Sequence, residues 1–232
     1  MDFIEGEIVY MNKPLDWTSF DLVNRFRNRL SRKLNVKKIK VGHAGTLDPK
    51  ATGVMILCTG RATKRMDELQ GLTKEYVATL QLGATTPSFD FEQEIDKTYP
   101  TGHITREAVA SVLKSFIGKI EQIPPAFSAC MIEGQRAYAL ARKGKEVNLK
   151  PKTLVIDEIE MLHFELPVLK IRVVCSKGTY IRALARDIGE ALHSGAFLTA
   201  LERTRIGNVT LADCINEDEI DAFLDRSLNI NN

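Results

Sequence analysis

Apolar residues recur along this chain at two periods, near two and near three and a half, and the alternation between them predicts its elements. Glu7 to Met11 reads as a short strand that ends at Asn12-Lys13-Pro14. Thr18 followed by Asp21 is a capping-box pattern. Beyond it Phe20, Val23, Phe26, Leu30 and Leu34 repeat at three- and four-residue steps, which predicts an amphipathic helix with these residues inward. A glycine-punctuated loop, Val41 to Pro49, runs into the apolar stretch Val54 to Cys58, expected to be a buried strand. Arg61 to Leu69 reads as helical. Glu75 to Leu82 alternates, with Tyr76, Ala78, Leu80 and Leu82 on one face, as a strand does.

The second half continues in the same mixture. Pro87 to Gly102 is acidic and turn-rich and is expected to be an exposed loop. Thr105 to Ile117 reads as a helix with Ala108, Val109, Val112, Leu113 and Phe116 inward. Pro124-Pro125 breaks the chain, and Tyr138 to Lys143 reads as a short helix closed by Gly144. Leu154 to Phe164 and Val168 to Cys175 read as two strands around a turn at Pro167. A helix follows from Tyr180 to Leu192, then extended chain from Leu198 to Leu211, then an acidic helix from Glu217 to Asp225. Strands and helices do not alternate regularly. That order predicts an α+β fold with a central mixed, largely antiparallel sheet flanked by helices. The expected organisation is one elongated domain over residues 1–232, with room for two subdomains.

Composition narrows the function classes. Of 232 residues, 44% are hydrophobic and 27% charged, an ordinary globular balance. No apolar run is long enough for a membrane span, and the acidic N-terminus carries no secretory h-region, so a cytoplasmic location is expected. Cys58, Cys130, Cys175 and Cys214 form no CxxC pair, and the four histidines show no HExxH spacing, so no metal site is expected. The net charge of +2 hides an asymmetry. From Asp21 to Lys40, Arg25, Arg27, Arg29, Arg32, Lys33, Lys37, Lys38 and Lys40 face a single acid, whereas Asp213 to Asp225 is acidic with no base. The basic segment is either a solvated helix face or a docking face for a polyanion.

Candidate chemistry concentrates in Gly42-His43-Ala44-Gly45-Thr46-Leu47-Asp48-Pro49, closed by Gly53. Glycines there permit close backbone approach, and Pro49 biases Asp48 away from helical geometry. A carboxylate on a rigid loop between elements suits nucleophilic or acid–base work, or else it closes an Asx turn. The loop lacks the GxxxxGK[ST] pattern of a phosphate-binding P-loop.

The segment GHAGTLDPKATGVMILCTGRATK resembles the active-site motif of the tRNA pseudouridine synthase B family. VYMNKPLDWTSFDLV, KEYVATLQLG at 74–83, and CSKGTYIRALARDIGEAL at 175–192 followed by LERTRIG at 201–207 agree with that family in order and spacing. The resemblance covers the whole chain and implies the pseudouridine synthase fold. It implies that Asp48 is the catalytic aspartate, that Tyr76 stacks on the target uracil, and that Arg182 pairs with Asp48. It implies further that Leu201 packs in the pocket, that His43 enters the RNA loop as bases flip out, and that Lys13, Lys64 and Tyr180 contact substrate. Arg25 and Arg29, on the polar face of the basic helix, are the expected phosphate contacts.

The implied activity is conversion of uridine to pseudouridine in the TΨC loop of tRNA, at conventional position 55, without a cofactor. An aspartate carboxylate has to be ionised for that work, and an arginine partner keeps a buried one charged. Attack at C1′, attack at C6 and stabilisation of an oxocarbenium-like species all remain open. The expected partner is the T-arm stem-loop. The chain is expected to be a monomer that needs no protein partner and to be a short form without the C-terminal PUA-type RNA-binding module that family members often carry. The same chemistry on another RNA, a non-catalytic RNA-folding protein and a phosphate-ester hydrolase are the alternatives. The hydrolase lacks the carboxylate cluster or metal ligands it would need.

Overall fold

The structure is a computed structural model that describes residues 1–128, 131–132, 135–136 and 149–228. The helix expected over Tyr138 to Lys143 lies outside the described residues. In chain order the strands are β1 (Ile8–Lys13), β2 (Val41–His43), β3 (Ala51–Thr59), β4 (Lys74–Leu82), β5 (Ala84–Thr85), β6 (Lys97–Thr98) and β7 (Gly118–Gln122). They continue with β8 (Met131–Ile132), β9 (Gln135–Arg136), β10 (Lys152–Glu165), β11 (Val168–Cys175), β12 (Ala196–Ile206) and β13 (Val209–Thr210). The helices are α1 (Ser19–Lys33), α2 (Met66–Gly71), α3 (Arg106–Ser115), α4 (Ile181–Ala191) and α5 (Ile220–Ser227). The main sheet runs β1-β3-β12-β4-β11-β10-β7, with β2 beside β3 and β13 beside β12. The chain divides into two compact units, Met1–Tyr76 with Glu202–Asn232, and Val77–Leu201.

In the first unit β3 is buried along nearly its whole length, as its continuous apolar run requires. It pairs antiparallel with β1 from Ile8↔Cys58 to Lys13↔Gly53, and with β2 from Val41↔Thr59 to His43↔Leu57. One face of β3 (Val54, Ile56, Cys58) packs on Ala44, Leu69 and Ile206. Helix α1 starts where its capping box predicts: the Thr18 side chain accepts from Asp21 N–H, and the Asp21 carboxylate accepts from Thr18 N–H. Its buried stripe is Ser19, Leu22, Val23, Phe26 and Leu30. Phe20, expected inward, is 62% exposed, and the Arg27 guanidinium lies over its ring. The segment expected as one helix over Arg61 to Leu69 is a 3-10 helix, Gly60–Arg65, followed by the short α2.

The second unit is built on the β10–β11 hairpin, whose antiparallel register runs from Ile156↔Cys175 to Glu165↔Val168. Strand β7 extends it by pairing with the first part of β10. Leu169, Ile171 and Val173 on β11 are fully buried. Helix α3 packs on β10 and on α4, and α4 buries Ile181, Ala183, Leu184, Ala185 and Ile188. The stretch 87–102 is exposed over 91–98, as expected, but not over 88–90. Ser88 and Asp90 within it are buried, and Asp90 accepts from the Ser88 hydroxyl at 2.6 Å and from Glu92 N–H at 3.0 Å. A buried carboxylate needs such donors to remain in an apolar surrounding.

Candidate active site

Asp48 sits on the connection between β2 and β3, and the backbone around it is held at every step. Every carbonyl from Gly45 to Pro49 has a hydrogen-bond donor. Arg203 serves two of them, reaching Gly45 O and Thr46 O at 3.3 Å each. The Ser19 hydroxyl donates to Leu47 O at 2.9 Å and accepts from Leu47 N–H at 2.8 Å. Ala51 N–H reaches Asp48 O at 3.0 Å, and Asp16 N–H reaches Pro49 O at 2.9 Å. Lys13 adds a longer bond to Pro49 O at 3.4 Å. Buried backbone groups need partners, and a loop with all of them in place has little freedom to move. Gly53, at φ +114°, lets β3 pass against the backbone of Arg203; a Cβ there would stand 2.2 Å from Arg203 O.

Two cations are sunk beneath this loop. Lys13 is fully buried at the end of β1, and its ammonium also donates to Pro14 O at 2.8 Å and Trp17 O at 2.7 Å. Burial lowers its pKa to about 8, the Asp48 carboxylate acts in the opposite direction, and Arg203 adds to the lowering. Arg203, 1% exposed, directs Nε to Val54 O at 2.8 Å. Burial, with Arg203 second, lowers the pKa of His43 on β2, so the imidazole is held towards its neutral form.

The other expected residues fall in both units. Tyr76, 8% exposed, is on the inward face of β4, and Lys64 is exposed on the 3-10 helix. In the second unit Arg182, 6% exposed in the first turn of α4, is ion-paired with Asp90 at 3.6 Å. It also donates to Ser88 O at 3.2 Å and Phe127 O at 3.0 Å. Tyr180 precedes α4, and its N–H and C=O form a reciprocal pair with the Gln122 amide at 2.9 and 3.2 Å. Leu201 is half-buried on β12.

Arg25 and Arg29, expected as phosphate contacts, are each ion-paired within the first unit. Arg25 pairs with Glu217, Arg29 with Asp221 at 2.8 Å, and Lys33 with Asp225. The four-residue spacing of the cations on α1 matches that of the acids, so the two charge-rich ends of this unit form one ladder. Phe3 locks the same interface, with its ring edge-on to Phe26 and Phe223 at 6.3 Å each.

Ser19, Arg203 and Asp90 went unnoticed in the sequence. Ser19 follows the capping threonine and reads as one more polar residue of a helix start. Arg203 lies inside LERTRIG, and a charged residue amid a strand pattern was the available signal. Asp90 had none, because its acidic surroundings read as solvent-exposed.

The profile of the "TruB family pseudouridylate synthase (N terminal domain)" matches residues 31–181. The chain is 74% identical over 228 residues to "tRNA pseudouridine synthase B" of Parabacteroides distasonis, covering 98% of this chain and 97% of that one. It is 67% identical over 226 residues to the protein of the same name in Bacteroides fragilis, covering 97% of each. Among solved structures it is similar to a Cbf5-Nop10-Gar1 complex, with TM-score 0.72, 28% identity, 99% of this chain covered and 58% of that one. It is also similar to an H/ACA RNP bound to a substrate RNA containing 2′-deoxyuridine, with TM-score 0.69, 27% identity, and 99% and 57% covered. The chain thus spans a little over half the length of those structures' chains. This chain belongs to the TruB family of pseudouridylate synthases. Among the described residues no helix is long and apolar enough to cross a membrane.

Proposed function

We propose that this chain isomerises uridine to pseudouridine in tRNA, at position 55 of the T loop, with Asp48 as the nucleophile. The reaction breaks the N1–C1′ bond, turns the uracil, and joins C5 to C1′. The C5 proton leaves and N1 gains one, so atoms and electrons balance without a redox partner. The observation that carries the reading is the complete anchoring of Gly45 to Pro49, which holds one carboxylate in one place. Such positioning converts encounter into near-unimolecular reaction, worth several kcal/mol of barrier. The names of the close relatives support tRNA as the substrate.

The target base has to leave the RNA stack to reach a carboxylate so placed. Tyr76 receives it by stacking, Leu201 packs beside it, His43 enters the space left in the loop, and Tyr180 and Lys64 contact the RNA. Arg182 is the arginine partner of Asp48 and is itself oriented by Asp90. The neutral tendency of His43 suits a side chain that displaces bases instead of binding phosphate. The enzyme works as a cytoplasmic monomer without a protein partner.

The test is a T-arm stem-loop transcript labelled with tritium at C5 of its uridines. Release of one equivalent of tritium, with the modification mapped to position 55, is the expected result. Binding without release would leave an RNA-folding protein, and strand cleavage a hydrolase.

A further inference from the structure

The basic run from Asp21 to Lys40 divides in the folded chain. In its first part three of the cations are paired with acids, as Arg25–Glu217, Arg29–Asp221 and Lys33–Asp225, while Arg27 lies over the Phe20 ring. Its last part, Lys37, Lys38 and Lys40, is exposed and has no ion-pair partner among the described residues. We propose that Lys37, Lys38 and Lys40, with Lys64 of the 3-10 helix, form the strip that holds the phosphate backbone of the tRNA T arm. This rests on the function proposed above and adds to it the surface that carries the RNA's charge.

Local structure builds the strip in three steps. Helix α1 ends in a Schellman motif: Asn35 is left-handed at φ +51°, Asn35 N–H reaches Arg32 O at 3.2 Å, and Val36 N–H reaches Ser31 O at 3.0 Å. The lysines that follow therefore leave the helix axis and the acid ladder along it. Next, Ile39 is 7% exposed while its neighbours are exposed. Successive side chains of extended chain point to opposite sides, so anchoring Ile39 inward turns Lys38 and Lys40 outward together. Finally, Gly60 N–H donates to Lys40 O at 3.0 Å, which sets the start of the 3-10 helix against the end of the linker. Lys64 stands four residues along that helix, about 8 Å at its rise per residue. The acids next in sequence are Asp67 and Glu68, and Glu68 is engaged by Arg65 at 2.9 Å.

The strip leads to the reacting loop within the same compact unit. Lys40 runs directly into β2, and His43 is three residues on, about 10 Å in extended chain. Phosphates gripped by the strip bring the flanking loop nucleotides towards His43 and Asp48. Lysine ammonium groups are compact point charges with no planar fork for reading bases. The strip therefore supplies affinity and orientation, and the choice of uridine stays with the loop.

The experiment uses the full chain with Lys37→Gln, Lys38→Gln, Lys40→Gln and Lys64→Gln combined. Binding to a T-arm stem-loop is measured across a salt series, with a thermal melt as a check on folding. Each phosphate contact contributes about 0.9 to the slope of log K against log salt on B-form duplex, a value taken as the guide for the stem. The quadruple variant should flatten that slope by about three and a half and weaken binding at least tenfold at low salt, while the same uridine is modified. Two double variants, at Lys37 with Lys38 and at Lys40 with Lys64, should each flatten it by about two, and they stand in if the quadruple variant melts early. Arg25→Gln with Arg29→Gln should lower the melting temperature and leave the slope in place. An unchanged slope in folded strip variants overturns the proposal, as does flattening by the Arg25 and Arg29 pair alone. Failure of the underlying function is a separate result: wild-type chain that binds the stem-loop and releases no tritium.

Discussion

The fold constrains the ionisation of Lys13. Its pKa falls from 10.5 to about 8, first because it is buried, and Asp48 is the largest force acting the other way. Between pH 8 and 10.5 the unfolded chain holds a proton that the folded chain has released, so stability should rise with pH across that window. Below pH 8 both states are protonated and the buried charge costs its full amount. Lysine Cε resonances followed by NMR should show one group titrating near 8, and Asp48→Asn should move it lower still. A Lys13 titration that ignores Asp48→Asn would contradict the proximity of the two. Arg203 acts on the same loop through geometry. Its fork serves the carbonyls of Gly45, Thr46 and Val54, which a lysine cannot all reach. Arg203→Lys should leave at least one buried carbonyl unpaired, at about 1–3 kcal/mol. Thermal melts and single-turnover rates should both fall, with RNA affinity changing less than turnover. A variant as stable and active as wild type would show that the loop holds itself.

At the scale of elements, Gly53 lets β3 pass close against the Arg203 backbone on β12. Gly53→Ala places a Cβ against the Arg203 backbone at a left-handed φ, so chemical denaturation should show a loss of more than about 2 kcal/mol. A loss below half that would mean the strands can part there. Elements were legible wherever the determinants are local. The capping box at Thr18, the alternation of β4 and the buried run of β3 all lie where their patterns predict. The errors share one physical origin. Phe20 stands three residues before Val23 and Leu22 four before Phe26, and only the surface beneath α1 decides which of them turns inward. Arg25, Arg29 and Lys33 repeat at the same step as Glu217, Asp221 and Asp225, yet nothing local says that the two ends of the chain meet. Such half-exposed pairs contribute about 0.2–1 kcal/mol each, too little to announce themselves by composition.

At the scale of the whole molecule, two compact units carry the expected site residues, Asp48, Tyr76 and His43 in one and Arg182, Tyr180 and Leu201 in the other. The fold class was legible because the irregular order of strands and helices left few alternatives to an α+β sheet; Asp48 was singled out only by the resemblance its contiguous motif carries, since an Asp-Pro pair alone equally closes an Asx turn. The supports of Asp48 were not, since Ser19, Lys13 and Arg203 reach it from separate elements. Asp90, in the second unit, was hidden for a similar reason, as an acid in a polar stretch that is nonetheless buried and paired with Arg182. The central claim is that Asp48 performs chemistry and does not merely hold RNA. Its most direct test is single-turnover tritium release from C5 of the target uridine by Asp48→Asn, with the T-arm stem-loop bound to saturation. The account predicts binding within a few-fold of wild type and no release above background. Release at the wild-type rate from that variant would contradict it.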